Sequence, residues 1–215
     1  MRKILFLSCL LSLPFTSFAH DFNYNYIEGG WRTDTIGLSN KGKRINGYGG
    51  YLSGSWEFTD SVYLFSNLTY TTKSFHTKNP VVTHHEKKTI ALPEIGLGLH
   101  RSMNDFDLLT EVSYVFSHEK INENDTTTQG NMTLSSHESS TNGVFRLLAG
   151  MRAHLLPQMD GWVKAGYMDG GNHYDNHFFG VLGSQFHFNN MWSLIAQVEL
   201  DHQSTHWNIG ARAQF

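Results

Sequence analysis

The sequence predicts an all-β protein that folds as a single up-and-down transmembrane β-barrel of ten antiparallel strands, with eight strands as the alternative. Apolar and polar side chains alternate with period two along most of the chain, and a sustained helical period is almost absent. Charged residues make up only 16% of the 215 residues, whereas 40% are hydrophobic. No window after the N-terminus approaches the run of about 18 apolar residues that a transmembrane helix needs.

The N-terminus has the features of a secretory signal. Two basic residues precede the apolar run Ile4–Leu13, and Ser17–Ala19 is a small-x-small cleavage site. We therefore expect a signal peptide over residues 1–19 and an exported barrel domain over 20–215. The only cysteine, Cys9, lies in the signal, so the exported part would contain neither a disulfide nor a Cys-based metal site.

Ten runs with period-two alternation are the predicted strands. They lie near residues 22–32, 46–58, 62–72, 88–101, 105–117, 143–155, 161–169, 176–188, 191–201 and 205–215. An even number of strands brings both chain ends to the same side of a closed barrel. In outer-membrane barrels that side faces the periplasm.

The first predicted strand has an ambiguous apolar face. Phe22 and Tyr24 favour one face of the strand. Ile27 and Trp31 favour the other face. A β-bulge near Glu28 would reconcile the two patterns.

The next eight runs form four hairpins that share one plan, in which a strand with a central glycine is followed by a short polar turn and a returning strand. The turns fall at residues 59–61, 102–104, 156–160 and 189–190. Long polar segments at 33–45, 73–87 and 118–142 lie at the opposite ends of the strands, and we expect them to be long extracellular loops. The final run places an apolar residue at every second position up to Phe215.

The composition of the two strand faces decides which face contacts lipid. A soluble up-and-down barrel is apolar inside, whereas an outer-membrane barrel is apolar outside and polar in its lumen. The face that we assign to the lumen carries too many ionisable groups for a dry core, because an unpaired buried charge is strongly destabilising. These predicted lumen residues are Glu28, Glu57, Glu111, Arg146, Arg152, Lys164, Glu199 and Arg212.

Two pairings within the predicted lumen network follow from the strand order. Glu28 on the first strand is expected to pair with Arg212 on the tenth, across the closure of the barrel. Glu111 on the fifth strand is expected to pair with Arg146 or Arg152 on the sixth. A network of this kind would fill the lumen, as side chains do in barrels of about eight strands.

Aromatic residues on the apolar face lie near strand ends and form a predicted girdle at each membrane interface. The members are Tyr48, Phe58, Phe106, Phe116, Phe178, Phe188, Trp192, Trp207 and Phe215. Three pairs of these residues are ten positions apart: Tyr48 and Phe58, Phe106 and Phe116, and Phe178 and Phe188. At about 3.3 Å per residue and a strand tilt of about 40°, this spacing corresponds to a membrane-spanning height of about 25 Å.

Several segments resemble a known family. They are FNYNYIEGGW at 22–31, WVKAGY at 162–167, HFFGVLGSQFHFNNMW at 177–192 and THWNIGARAQF at 205–215. The chain resembles the outer-membrane β-barrel family regulated by diffusible signal factor and, more loosely, small OmpX-like and OmpW-like barrels. The resemblance implies an outer-membrane barrel whose C-terminal strand, ending in an aromatic residue, is read by the barrel-assembly machinery. It supplies no catalytic residues.

The expected function is that of a small outer-membrane barrel with a structural or surface-exposed role, a filled polar lumen and long extracellular loops. The alternative is a narrow passive channel, or porin, for small hydrophilic solutes. The expected partners are outer-membrane lipid and lipopolysaccharide, with the protein as a monomer and without a cofactor. Nucleic acid is not an expected partner, since Lys+Arg 16 against Asp+Glu 19 leaves no basic stripe.

A third, distant alternative is a hydrolase at the barrel rim. The acidic and imidazole groups that would serve are Asp169, His173, Asp175, His177, Asp201 and His202. The sequence contains no serine elbow or metal-binding motif to support hydrolysis, so we do not expect an enzyme.

Overall fold

The computed structural model describes residues 22–37, 44–78, 82–103, 105–127, 133–170, 176–202 and 204–215. Within these ranges the chain forms ten antiparallel strands that close into one barrel, each paired with its neighbours in sequence and β1 paired with β10. The predicted fold class is confirmed, and the alternative of eight strands is wrong. The predicted signal peptide and the rim residues His173 and Asp175 lie outside the described residues.

The strands are β1 (Tyr26–Gly37), β2 (Arg44–Thr59), β3 (Val62–Lys78), β4 (Val82–Met103), β5 (Phe106–Thr127), β6 (Thr133–Leu156), β7 (Met159–Asp169), β8 (His177–His187), β9 (Trp192–Leu200) and β10 (Ser204–Gln214). Short turns join β2 to β3, β4 to β5, β6 to β7 and β8 to β9 at one end of the barrel. We call this the turn end, and Phe22 and Phe215 also lie there. The opposite end is called the hairpin end.

The predicted long loops at 73–87 and 118–142 are largely strand. The β3–β4 ladder runs to Lys78↔Thr83, and the β5–β6 ladder runs to Thr126↔Thr133. Beyond the apolar belt both faces of these hairpins are polar, so the period-two signal disappears while backbone pairing continues. The protein therefore projects two extended β-hairpins where the sequence predicted loops.

The first strand begins at Tyr26 instead of at residue 22. Its register with β2 and β10 is continuous, so the predicted bulge near Glu28 is absent from this strand. Residues 22–25 leave the barrel wall and turn into the lumen, where Phe22 and Tyr24 are buried. The two apolar patterns in the predicted first strand therefore have separate origins. Phe22 and Tyr24 belong to the segment inside the lumen, whereas Ile27 and Trp31 belong to β1.

The outer surface of the barrel is apolar, whereas the inside combines buried charged and polar side chains with two small hydrophobic clusters around Ile195 and Tyr63. Trp31, Leu52 and Ile209 are more than half exposed on the outer surface, whereas Arg32 and Arg212 are buried inside. This is the reverse of a soluble barrel and follows from period-two alternation on a closed sheet. No helix in the described part of the chain is long and apolar enough to cross a membrane.

Candidate functional site: the polar lumen

A cavity of about 320 Å³, lined by charged, polar and apolar side chains, occupies the inside of the barrel. It extends from Tyr24 and Trp162 near the turn end to Asp34 and Ser204 near the hairpin end. Its lining contains both acidic and basic side chains from most of the strands, so ion pairs organise its walls.

The segment 22–25 closes much of the cavity at the turn end. The Tyr24 ring contacts Tyr63, with centroids 4.9 Å apart, and His100, with centroids 4.2 Å apart, both nearly parallel to it. The Tyr24 hydroxyl donates a hydrogen bond to Asp107 Oδ2 at 2.7 Å. Burial raises the pKa of Tyr24, which lies outside the strands, far above its ordinary value, so the phenol remains a donor. We call residues 22–25 the N-terminal plug.

Phe22 anchors the beginning of the plug. Its ring stacks on His154 with a centroid distance of 4.1 Å, and the Arg152 guanidinium lies 4.7 Å from its centroid. Arg152 also donates to the backbone oxygen of Asn23 at 3.5 Å. Aromatic, cationic and backbone contacts therefore fix the plug against β6.

A buried polar layer fills the part of the turn end next to the plug. Arg152 Nη2 bonds Asp160 Oδ2 at 2.7 Å and Gln185 Oε1 at 3.0 Å. The Gln185 side chain is completely buried and donates to Ser193 and Gln214. This layer and the N-terminal plug together occupy the turn end of the lumen.

The middle of the lumen contains an ion pair between strands that are not neighbours. Lys164 Nζ on β7 bonds Glu111 Oε1 on β5 at 2.6 Å, and the Tyr63 hydroxyl donates to the same oxygen at 2.6 Å. The intervening strand β6 presents Gly150, where an added Cβ would lie 2.8 Å from Lys164 Cγ. The absence of a side chain at Gly150 therefore lets Lys164 pass over β6.

The expected pairing of Glu111 with Arg146 or Arg152 is not the one that forms. Arg146 instead bonds Glu199 at 2.8 Å and Glu94 at 3.3 Å, and Arg152 bonds the Asp160 carboxylate. Adjacent strands alone do not set the partners, because long side chains cross a narrow lumen to strands farther away.

The expected pairing across the barrel seam, the β1–β10 ladder, is present. Glu28 and Arg212 are register partners, and their side chains bond at 2.7 Å through Arg212 Nε. The Arg212 guanidinium lies 3.7 Å from the Tyr26 ring centroid. The remaining predicted lumen carboxylate, Glu57, bonds His100 at 2.7 Å.

All nine residues of the predicted aromatic girdle lie on the outer face. Eight are exposed, and Phe106 is partly buried. Several have an outward aromatic neighbour that the sequence argument missed, including Trp31 beside Tyr48, with ring centroids 6.4 Å apart. Trp31 was missed because the face of the first strand was ambiguous.

The rim residues of the hydrolase alternative are brought together only in part. His177 Nε2 lies 3.6 Å from Asp201 Oδ2. Among the described residues no group of three or more His, Cys, Asp or Glu side chains could hold a metal ion.

Several lumen residues escaped sequence reasoning. Glu94 and Asp160 bond lumen arginines, Asp107 accepts a hydrogen bond from Tyr24, and Gln185 joins two arginines. Each occupies an inward position of a predicted strand or turn, so the alternation could have identified it. The plug could not have been identified this way, since Phe22 and Tyr24 also fit a strand.

Solved structures of other proteins share the barrel fold. The chain matches no protein-family model and no curated protein sequence. Among solved structures, the transport unit of the autotransporter AIDA-I from Escherichia coli is 10% identical with a TM-score of 0.51, over 98% of this chain and 97% of that chain. The fold shared with this transport unit is a closed antiparallel β-barrel.

Two further solved structures are similar. Ail, the attachment invasion locus protein of Yersinia pestis, is 14% identical with a TM-score of 0.45, over 91% of this chain and 100% of that chain. The KdgM porin in complex with disordered oligogalacturonate is 12% identical with a TM-score of 0.45, over 88% and 99%. At such identities the likeness concerns the fold alone. The resemblance to the family regulated by diffusible signal factor remains a prediction.

Proposed function

We propose that the protein is an outer-membrane barrel that blocks solute passage at its turn end. The part of the cavity between the N-terminal plug and the hairpin end, which we call the vestibule, faces the cell exterior. The two long β-hairpins also face the exterior. The observation that carries the proposal is the N-terminal plug, in which Phe22 and Tyr24 are 8% and 4% exposed. A barrel with water-filled passage would leave this end open.

The apolar outer surface supports the membrane location. Exposed leucine, isoleucine, valine and aromatic side chains cover it, and a surface of this kind is stable only against hydrocarbon. The β1–β10 ladder closes the sheet, so the barrel has no unpaired edge strand within the described residues, which favours a monomer.

The orientation follows from the two ends of the barrel. Outer-membrane barrels have short turns on the periplasmic side and longer connections outside. The turn end therefore faces the periplasm, and the extended β3–β4 and β5–β6 hairpins face outward, where lipopolysaccharide surrounds them. Phe215 is exposed and directly follows β10, the strand that the barrel-assembly machinery would read.

Planar-bilayer recording tests the closed state. Wild-type protein is expected to give no stable unitary current. Phe22→Gly combined with Tyr24→Gly removes both plug rings and is expected to give small unitary currents. The matched control, Tyr24→Phe, keeps the stacked ring and is expected to remain silent.

Stable currents from the wild-type protein would contradict the proposal and support the passive channel. A second outcome is that the double glycine variant gives no current although its electrophoretic mobility changes on heating as the mobility of a folded barrel does. That result would show that the Arg152–Gln185 layer closes the turn end without the plug. The plug would then not be the element that closes this barrel.

A further inference from the structure

Three side chains at the hairpin end of the cavity form a continuous hydrogen-bonded relay. Ser204 Oγ lies 2.9 Å from His206 Nε2. His206 Nδ1 lies 2.6 Å from Asp34 Oδ1. This is the order of atoms in a serine nucleophile, a histidine base and a carboxylate that fixes the imidazole tautomer.

The barrel seam creates this arrangement. Ser204 and His206 are two positions apart on β10, so both side chains face the lumen. Asp34 on β1 is the register partner of His206. Because residues 34 and 206 meet only through the closing ladder, the relay carries no local sequence motif.

The relay is buried enough to be ordered and still faces the cavity. The side chains of Asp34 and His206 are 5% and 16% exposed, and Asp34, His206 and Ser204 all line the cavity. Two other histidines, His100 and His154, are stacked on the aromatic rings of the plug. His187 also lies between a serine and an aspartate, 3.3 Å from Ser193 Oγ and 3.0 Å from Asp160 Oδ2, but this set of side chains is at the turn end and does not line the cavity.

Positive charge lies beside the relay. Arg32 Nε bonds Asp34 Oδ1 at 2.8 Å, and its guanidinium lines the cavity. The Lys73 stem passes over Gly47, where an added Cβ would lie 2.5 Å from Lys73 Cε, and this directs the ammonium towards β1. Fixed cations of this kind stabilise an oxyanion.

We propose that Ser204, His206 and Asp34 form a hydrolytic centre for small, water-soluble acyl esters that enter the vestibule from outside. Ser204 Oγ bonds to the acyl carbon while its proton moves to His206 Nε2. The ester C–O bond breaks, and the leaving alcohol takes that proton. Water then attacks the acyl-serine, with His206 as base, and releases a carboxylic acid and free Ser204. Asp34 is a positioning residue that holds the imidazole.

The proposal adds an activity to the closed barrel and departs from the expectation that the protein is not an enzyme. It does not depend on whether the lumen conducts. In this structure Ser204 Oγ donates its proton to Asp201 Oδ2 at 2.7 Å, so the hydroxyl must turn from Asp201 to His206 before the proton can move to Nε2. If His206 is the base, the Asp201→Asn variant should keep the reactivity of Ser204. If Asp201 is the base, this variant should lose it.

Covalent labelling with an alkyl fluorophosphonate tests the centre in the full protein refolded in detergent micelles. Ser204 Oγ would bond to phosphorus with loss of fluoride, and mass spectrometry would locate the adduct on Ser204. Ser204→Ala and His206→Gln are expected to reduce labelling at least about a hundredfold. The matched control is Ser117→Ala, a serine that lines the same cavity.

The positioning role of Asp34 has its own readout. Hydrolysis of 4-nitrophenyl acetate is expected to fall by about 10²–10⁴ in Asp34→Asn and to recover in Asp34→Glu, which restores the carboxylate. Three results overturn the proposal: no labelling of the wild type, an adduct on another residue, or labelling that persists in Ser204→Ala. If a variant misfolds, the residue that carries the adduct in the wild-type protein tests the proposal: an adduct on Ser204 supports it, and an adduct on another residue overturns it.

Discussion

Breaking the ion pair at the barrel seam gives a sharp test of how the lumen contributes to stability. The side chains of Arg212 and Glu28 are only 8% and 10% exposed. Arg212→Met removes both bonds to the Glu28 carboxylate and leaves this charge buried. Loss of one member of a buried pair costs about 3–5 kcal/mol.

Further contacts place Arg212→Met near the upper part of that range. Arg212 also donates to Gln185 Oε1 at 3.1 Å and stacks 3.7 Å from the Tyr26 centroid. Glu28→Met should destabilise less, because Arg212 keeps both of these contacts. The double variant replaces the pair with apolar side chains of similar length, so its free energy of unfolding should lie within about 1–2 kcal/mol of the wild-type value.

The assay is urea unfolding of protein refolded into lipid vesicles, followed by tryptophan fluorescence. The matched control is Lys88→Met at the Lys88–Glu119 pair on the outer part of β4 and β5, where both side chains are more than a quarter exposed. This change should cost less than about 1 kcal/mol. A double seam variant that is as unstable as the sum of the two single variants would refute the reasoning.

The same unfolding assay tests two further features with one pair of substitutions each: the assignment of outward and inward strand faces, and the space at Gly150 that Lys164 passes through. Ala149→Arg on the outward face should destabilise by about 2–4 kcal/mol, whereas Gln197→Arg in the polar lumen should cost less, and equal effects would contradict the assigned faces. Gly150→Ala should cost about 1–3 kcal/mol, because its Cβ would lie 2.2 Å from Val163 O and would displace Lys164. Gly180→Ala is the control, since the nearest atom to its added Cβ is 3.8 Å away, and an equal loss there would refute the explanation.

The strand pattern could be predicted from the sequence because it is local. In β10, the outward Trp207 and Ile209 contrast with the inward Asn208 and Arg212, and such contrasts recur along the chain. The same signal failed at the β5–β6 hairpin, where both faces are polar. It also failed at residue 22, where aromatic side chains suit a strand and a plug equally well.

The sequence by itself determined the up-and-down barrel, the faces of most strands and the identity of many lumen charges, since a period of two assigns each side chain to the outer face or to the lumen. The choice between ten and eight strands came from the closed ladder. Only the tertiary structure decided which lumen groups meet. Lys164 reaches Glu111 across a strand that has a glycine in its path, and His206 meets Asp34 because the last strand pairs with the first. Alternation fixes the direction of a side chain, whereas closure, stagger and the width of the lumen fix its partner.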